Sequence, residues 1–579
     1  MPDINAYLAP RSVAVIGASN DTEILRGRIL KVMRCHDFAG PIYPVSRSSD
    51  EVMGLKAYRT ITEVPDPVDL AILIIPAEFV PDTLRECGRK GVKAAQIITS
   101  GFAEEVGEAG ARQQTLIREI AAEFDMAVCG PNSEGFTNTR ALLAATFSPV
   151  MDHPERPLVP EFRSDGFISV IAQSGGIGFS FFDRGRPKEL PFNYIITTGN
   201  EAALEEMDLV DHLIDADQTD VFMLFMEDVK TPAKLVAVAE KALRAGKPLI
   251  VTKIGKSGAG QRAAASHTAA LAGAYAGYRA LFERYGIIEG NHIEEMVDIA
   301  AGFSRWGKRL PRGKRIGITT GSGGGGGWMA DTAELEGLEV PVLDAATRAR
   351  IDEFLPPYGT SQNPVDGTAQ AVRRIGYARM AQMVAESPVV DAVITITSAR
   401  HGSSYRREEA LLTELARETH KPIAFCSYTN PQEGAMEFLN RCGIPLYTDM
   451  RNCARAFAAM ADYRALRERF LRIPEIRTAP ATTRDQVAGH LERCGPVLCE
   501  YQARPLFAAY GLGADTAGTL ARSAEEALAA AEQMGGAVAL KVQSPDILHK
   551  TEAGGVRVVR VDRADPAADL VRQAAALQA

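Results

Sequence analysis

Cysteine is sparse and unpaired: eight are scattered over 579 residues, with no Cys-x-x-Cys pair. A disulfide scaffold and a thiolate zinc site are disfavoured, and a reducing cytoplasm is the expected compartment. Long apolar runs are also missing. A run such as Leu70–Ile75 falls far short of the ~20 residues that span a bilayer. The first residues, Met-Pro-Asp-Ile-Asn, lack the basic start and apolar stretch of a secretory signal. There is no basic surplus: 64 Lys and Arg stand against 73 Asp and Glu, a net charge of −9. That argues against a nucleic-acid partner. The chain does hold 46% hydrophobic and 24% charged residues, a globular composition with length for roughly four domains.

Over residues 1–145, short apolar runs alternate with helical stretches: Val13–Ile16, Ile42–Val45, Leu70–Ile75, Ala95–Thr99 and Met126–Cys129. The runs are continuous rather than alternating in polarity, as in parallel strands covered on both faces. Intervening helices imply right-handed crossovers and a doubly wound sheet, with ligands beyond the carboxyl ends of its strands. Three small or polar segments fall at such ends: Gly17-Ala18-Ser19-Asn20, Thr99-Ser100-Gly101 and Gly130-Pro131-Asn132. After a Pro- and charge-rich linker at 151–165, a second α/β unit (160–308) runs from Phe167–Ile171 into Ser174-Gly175-Gly176-Ile177-Gly178. A third (312–465) runs from Arg315–Thr320 into Ser322 and five glycines, Gly323–Gly327. The shared Ser-Gly-Gly-x-Gly turn is a weak internal repeat, the mark of two similar sheets in tandem. Residues 466–497 read as a linker, and 498–579 as a helix–strand fragment that halts inside a domain.

At each Ser-Gly-Gly turn the backbone can approach a ligand closely, and the next helix aims free N–H groups at it. An anion, phosphate above all, suits such a turn; a tight turn without a ligand is the plain alternative. Gly17-Ala18-Ser19-Asn20 lacks the later glycines of the dinucleotide fingerprint, and no acid closes the second strand at Val45-Ser46. An NAD-dependent dehydrogenase is therefore disfavoured. His267 lies among small residues, Ala263–Ala265, Ser266, Thr268 and Ala269, where a tetrahedral group can reach the ring. Neutral imidazole is a good nucleophile towards phosphoryl groups. It needs an acceptor to fix its tautomer, and Glu227, after the run Val221–Met226, is a candidate. A structural loop histidine and a surface salt bridge are the plainer roles for these two. Lys541, on an apolar run, suits a phosphate as a point charge, and His549 follows in a polar loop. Phe179, Phe181, Phe182 and Phe192 fit either an aryl or branched acyl group or a packed core.

Taken together, Ser12–Asn20, Val68–Ala77, Ile97–Phe102, Gly130–Ser133, Gln173–Gly176, Ser266–Gly273, Asn363–Asp366 and Ser544–Lys550 resemble the NDP-forming acyl-CoA synthetases. That family includes ADP-forming acetyl-CoA synthetase and succinyl-CoA synthetase. The resemblance implies an α/β chain with a Rossmann-like CoA-binding domain and two flavodoxin-like domains of the succinyl-CoA synthetase type. Part of an ATP-grasp domain follows. It implies an acid–thiol ligase that joins a carboxylic acid to CoA, turns ATP into ADP and phosphate, and uses Mg2+. His267 would carry the phosphoryl group, Glu227 would bond its ring, and His549 would be a second, transient carrier. Ser174, Gly175, Gly176, Ser322, Gly323 and Gly324 would hold phosphate, and Lys541 the ATP. Gly17, Ala18, Ser19, Asn20, Arg47, Ile98, Thr99, Ser100 and Asn132 would line CoA, and Phe179, Gly199 and Asn200 the acyl substrate. A soluble homo-oligomer, a dimer, with no membrane partner is expected.

Two departures stand out. Ser46-Arg47-Ser48 replaces the Asn-Pro-Lys that relatives commonly show, and Glu134 stands where an apolar residue is common. The reading from another class is a CoA-binding regulatory or scaffold protein without nucleotide turnover.

Overall fold

The computed structural model describes residues 2–105, 107–153, 158, 166–216, 218–262, 275–400, 405–432, 434–472, 481–512, 518–561, 568, 571–573 and 576. The chain forms two units, Met1–Ile473 and Pro474–Ala579.

Among the described residues the first unit holds three large sheets and a short antiparallel pair, Glu51–Val52 with Leu55–Lys56. The first contains β1 (Val13–Ile16), β2 (Ile42–Val45), β3 (Leu70–Leu73), β4 (Ala94–Ile97) and β5 (Ala127–Cys129). Their order is β2-β1-β3-β4-β5, and every pair is parallel. All residues of β1, β3, β4 and β5 are buried, which is why their sequences show no polar alternation.

The second sheet contains β6 (Gly135–Asn138), β7 (Leu143–Thr146), β8 (Ile168–Ala172), β9 (Phe192–Thr197), β10 (Val221–Met226), β11 (Leu249–Lys253) and β12 (Ile288–Glu289). The order is β12-β11-β10-β8-β9-β6-β7. The hairpin β6–β7 extends it antiparallel from β9, so the segment just after the first sheet finishes the second one. The third sheet contains β13 (Ile316–Thr320), β14 (Val365–Asp366), β15 (Ala392–Thr397), β16 (Ile423–Ser427) and β17 (Leu446–Tyr447). Its order, β14-β13-β15-β16-β17, repeats that of the first sheet, again all parallel.

Each glycine-led turn opens a helix after a central strand: α1 (Gly175–Gly185) after β8, and α3 (Gly323–Leu335) after β13. Behind them, α2 (Ile293–Trp306) packs along α4 (Met450–Arg472), with α1 against α2 and α3 against α4. Between the second and third sheets, Lys188 pairs with Asp298 at 2.8 Å; both are buried. Asn452 Nδ2 donates to Asp298 at 3.0 Å, and Asn440 Nδ2 to the Lys188 carbonyl at 2.9 Å. Both charges thus keep partners, as burial demands.

The stretch that reads as a linker, 466–497, contains helix: α4 runs to Arg472 and another helix spans Ala481–Glu492. Apolar positions such as Leu466 and Phe470 pack on the core. The second unit adds helices Glu500–Ala509 and Ala524–Met534 and an antiparallel pair, β18 (Ala537–Lys541) and β19 (Val556–Arg560). Among the described residues no helix is long and apolar enough to cross a membrane.

Candidate active site

The loops at the carboxyl ends of the first sheet meet. Gly17 has φ +98°, and a Cβ there would lie 2.3 Å from the Ile74 carbonyl oxygen, so only glycine fits the exit from β1. Both ends of the Asn20 amide are engaged: its Oδ1 accepts from the Met53 N–H at 2.7 Å, and its Nδ2 donates to the Glu51 carbonyl at 3.2 Å. Arg47 lies 5.5 Å from the centre of the exposed Phe79 ring, a cation–π distance. Ile98 N–H bonds the Leu73 carbonyl, and Thr99 Oγ1 donates to the Ile75 carbonyl at 2.8 Å. The Thr99 carbonyl accepts from the Asn132 N–H at 2.8 Å. Ala18 is buried, Ser19 half-buried and Ser100 exposed.

The turn after β9, Thr198-Gly199-Asn200-Glu201, docks on these loops. Asn200 N–H donates to the Pro131 carbonyl at 2.9 Å and Ala202 N–H to the Gly130 carbonyl at 2.8 Å. A Cβ on Gly199 would sit 2.2 Å from the Pro131 oxygen, so the contact needs glycine. The Asn200 side chain is occupied by Gln114 at 3.0 Å and by Glu104, and it accepts from Asn132 Nδ2 at 3.2 Å.

Next to this turn, Gln173 holds the shoulder on which Glu227 stands. Its Oε1 accepts from the N–H groups of Glu227 and Asp228 at 2.5 and 2.9 Å, and its Nε2 donates to the Asp228 carbonyl at 2.8 Å. Lys253 Nζ donates to the Glu227 carbonyl at 2.7 Å. The same Gln173 Nε2 donates to Glu201 at 3.0 Å. The next residue, Ser174, caps α1 without a side-chain bond. Gly176 faces open space, whereas a Cβ on Gly175 would lie 2.7 Å from Glu134 Cβ. Burial raises the Glu134 carboxyl above its ordinary range. The α3 turn repeats the pattern: Ser322 has no side-chain cap, Gly324 is open, and Gly323 lies against Asp366. Both first turns therefore present N–H groups at a positive helix end.

Of the expected site residues, the structure buries one, engages the side chain of another and leaves a third outside the described residues. Phe179 is wholly buried, as are Phe181, Phe182 and Phe192; their rings form core and do not line an open pocket. The Asn20 amide is bonded to the backbone of Glu51 and Met53 on the hairpin after β2. His267 lies outside the described residues. In the second unit, Lys541 Nζ sits 3.2 Å from both Glu500 oxygens, and His549 is exposed on the loop between β18 and β19. Sequence reasoning gave no individual part to the side chains of Gln173, Glu201 and Lys230, which the structure joins by hydrogen bonds. The signal was available in an acid directly after the Thr-Gly-Asn turn.

A doubly wound domain followed by two tandem flavodoxin-like units, each with a helix opened by a Ser-Gly-Gly turn, defines the CoA-ligase class. Residues 11–139 match the CoA binding domain family, 165–303 the succinyl-CoA ligase like flavodoxin domain and 490–575 the ATP-grasp domain. The chain is 36% identical over 462 residues to the acetate–CoA ligase (ADP-forming) II subunit alpha of Pyrococcus furiosus, covering 79% of this chain and 97% of that one. It is 33% identical over 555 residues to acetate–CoA ligase (ADP-forming) I of Archaeoglobus fulgidus, covering 95% and 76%. It is also similar to a solved acetyl-coenzyme A synthetase 1 of Ca. Korarchaeum cryptofilum in complex with phosphate and ADP. There the identity is 28% and the TM-score 0.71, covering 82% of this chain and all of that one. The chain belongs to the ADP-forming acyl-CoA synthetase family, and is an acid–thiol ligase with CoA and adenine nucleotide as substrates.

Proposed function

We propose that this ligase activates a small carboxylic acid through a phosphohistidine at His267 and an acyl phosphate. A carboxylate is a poor electrophile with a poor leaving group, and a covalent phosphoryl carrier divides the task. The ring nitrogen of His267 takes the γ-phosphoryl of ATP, relayed by His549, and ADP leaves. A carboxylate oxygen of the acid attacks that phosphorus and frees the ring. The CoA sulfur then attacks the acyl carbon, expels phosphate, and gives up its proton to solvent. Glu227 fixes the tautomer of His267. The first turns of α1 and α3, at Ser174–Gly176 and Ser322–Gly324, hold the charge that moves. Gly17–Ser19, Arg47, Ile98–Ser100 and Asn132 border CoA, and the Gly199–Asn200 backbone borders the acyl group. Lys541 contacts nucleotide phosphates by exchanging its exposed pair with Glu500 for a denser charge. Mg2+ enters as the counter-ion of those phosphates; among the described residues no group of three His, Cys, Asp or Glu side chains forms a cage for it. A homodimer, in the cytoplasm, completes the reading.

The support is the unbroken chain of bonds from Thr99 and Pro131, through the Asn200 turn, to the Gln173–Glu227 shoulder. It joins thiol-side loops to the histidine's partner. The test runs the half-reaction backwards: the full chain is mixed with [32P]phosphate and acetyl-, 4-hydroxybutyryl- or feruloyl-CoA. Acid-labile label on the His267 peptide, lost in His267→Ala, is expected. Absence of label from every thioester would sink the reading and leave a CoA-binding scaffold.

A further inference from the structure

We propose that Glu201 is a positioning residue of this ligase, acting through the Gln173 amide to hold the backbone from which Glu227 reaches the phosphoryl-carrying histidine. The inference rests on the phosphohistidine reading and adds a residue to it.

Glu201 is 3% exposed and has φ +54°, so it combines a buried carboxylate with a backbone conformation that non-glycine residues avoid. Its contacts come from three directions. Oε1 accepts from Thr198 Oγ1 at 3.0 Å and from the Glu206 N–H at 2.8 Å. Oε2 accepts from Gln173 Nε2 at 3.0 Å. Lys230 Nζ donates to the Glu201 carbonyl at 2.9 Å and to that of Asn200.

The Glu206 N–H and the Thr198 hydroxyl already donate to the carboxylate, and its second oxygen faces the Gln173 amide. The amide of Gln173 must therefore present its nitrogen to Glu201, which leaves its oxygen for the N–H groups of Glu227 and Asp228. With that amide reversed, a nitrogen would meet two N–H donors, and the shoulder would lose its acceptor. Ionised Glu201 thus fixes the orientation of the strap. A buried, strained acid that served packing alone would be a net cost at this site.

Charge at this position is finely set. Burial pushes the Glu201 carboxyl up to about 7, and Lys230 opposes the rise. The titratable groups around it are Glu206 on the following helix, Lys230 after β10, and Cys129 on β5. Arg118, Glu205 and Asp228 surround Lys230. Protonation places an O–H against one of the donors and loosens the strap, so activity falls as pH drops through the neutral range.

The experiment is labelling of the full chain by acetyl-CoA and [32P]phosphate between pH 6 and 9. Glu201→Gln puts a donor against a donor. It is expected to slow labelling by about tenfold or more, as small misplacements at a reacting centre do. KM for phosphate should stay within about twofold, and the acidic limb of the wild-type profile should vanish. Gln173→Met, which deletes the amide but keeps its length, is the second variant should E201Q not fold. Wild-type chain that takes no label from any thioester overturns the underlying reading, and this inference with it. Labelled wild type with an unchanged rate and limb in E201Q, or an unchanged rate in Gln173→Met, overturns the inference alone.

Discussion

At the scale of single residues, the candidate site is organised by polar groups that lie outside the proposed path of the phosphoryl group. Lys230 illustrates this. Its ammonium ties down the Asn200 and Glu201 carbonyls and favours the ionised form of the Glu201 carboxyl. Lys230→Met should therefore push that carboxyl further above 7 and carry the acidic limb of the labelling rate with it. At pH 7 the rate is expected to fall about two- to fivefold, with recovery near pH 8.5; a uniform loss at all pH values would contradict this. The stability linkage has a definite sign. An acid whose folded pKa is raised favours folding most below its ordinary range. That contribution is lost as pH rises from the ordinary carboxylate range towards about 7. Glu201→Gln removes the dependence, so its melting temperature relative to wild type should rise between pH 5 and 8, as read by thermal scans.

Among elements, the two glycine-led helices carry the anion argument, and their glycines differ in kind. Gly175 packs on Glu134 and Gly176 faces open space. Gly175→Ala overpacks a contact with no room to give and should destabilise by roughly 1–3 kcal/mol. Gly176→Ala should keep or slightly raise stability, since alanine favours a helix interior over glycine by up to ~1 kcal/mol. Its methyl nevertheless crowds the N–H groups, so KM for phosphate should rise about tenfold, a loss of ~1.4 kcal/mol. An unchanged KM would detach phosphate from that turn. Elements of this kind were legible in the sequence, because strand, Ser-Gly-Gly and helix follow local rules. The apolar runs foretold β1, β10 and β13 to within a residue. The antiparallel hairpin β6–β7 was not legible, since its pairing with β9 joins residues far apart in the chain. Nor was the burial of Phe179, because an apolar face reads alike whether it meets core or substrate. Gln173 stands in the Gln173–Gly176 motif and Glu201 directly follows Asn200, but only tertiary geometry shows that they touch.

For the whole molecule, stability and chemistry separate by place. The second and third sheets meet over Lys188 and Asp298, both buried. Lys188→Met strands a carboxylate and should cost about 3–5 kcal/mol, whereas K188M/D298L, which removes both charges, should recover most of it. The first thermal transition, followed in the full chain, distinguishes the two. In the proposed mechanism, reverse labelling of His267 draws on the loops after the first sheet, the α1 and α3 turns and the Glu227 shoulder, all within Met1–Ile473. Lys541 and His549 belong to the other unit, on a hairpin and its loop with little buried surface. Exchanging an exposed histidine there has little leverage on folding. His549→Ala should then leave labelling from acetyl-CoA and phosphate within about twofold of wild type, the range of ordinary surface substitutions, while His267→Ala abolishes it. Loss of that labelling in His549→Ala would show that the second histidine takes part in the acyl half of the reaction. The order of phosphoryl transfer proposed above would then have to be redrawn.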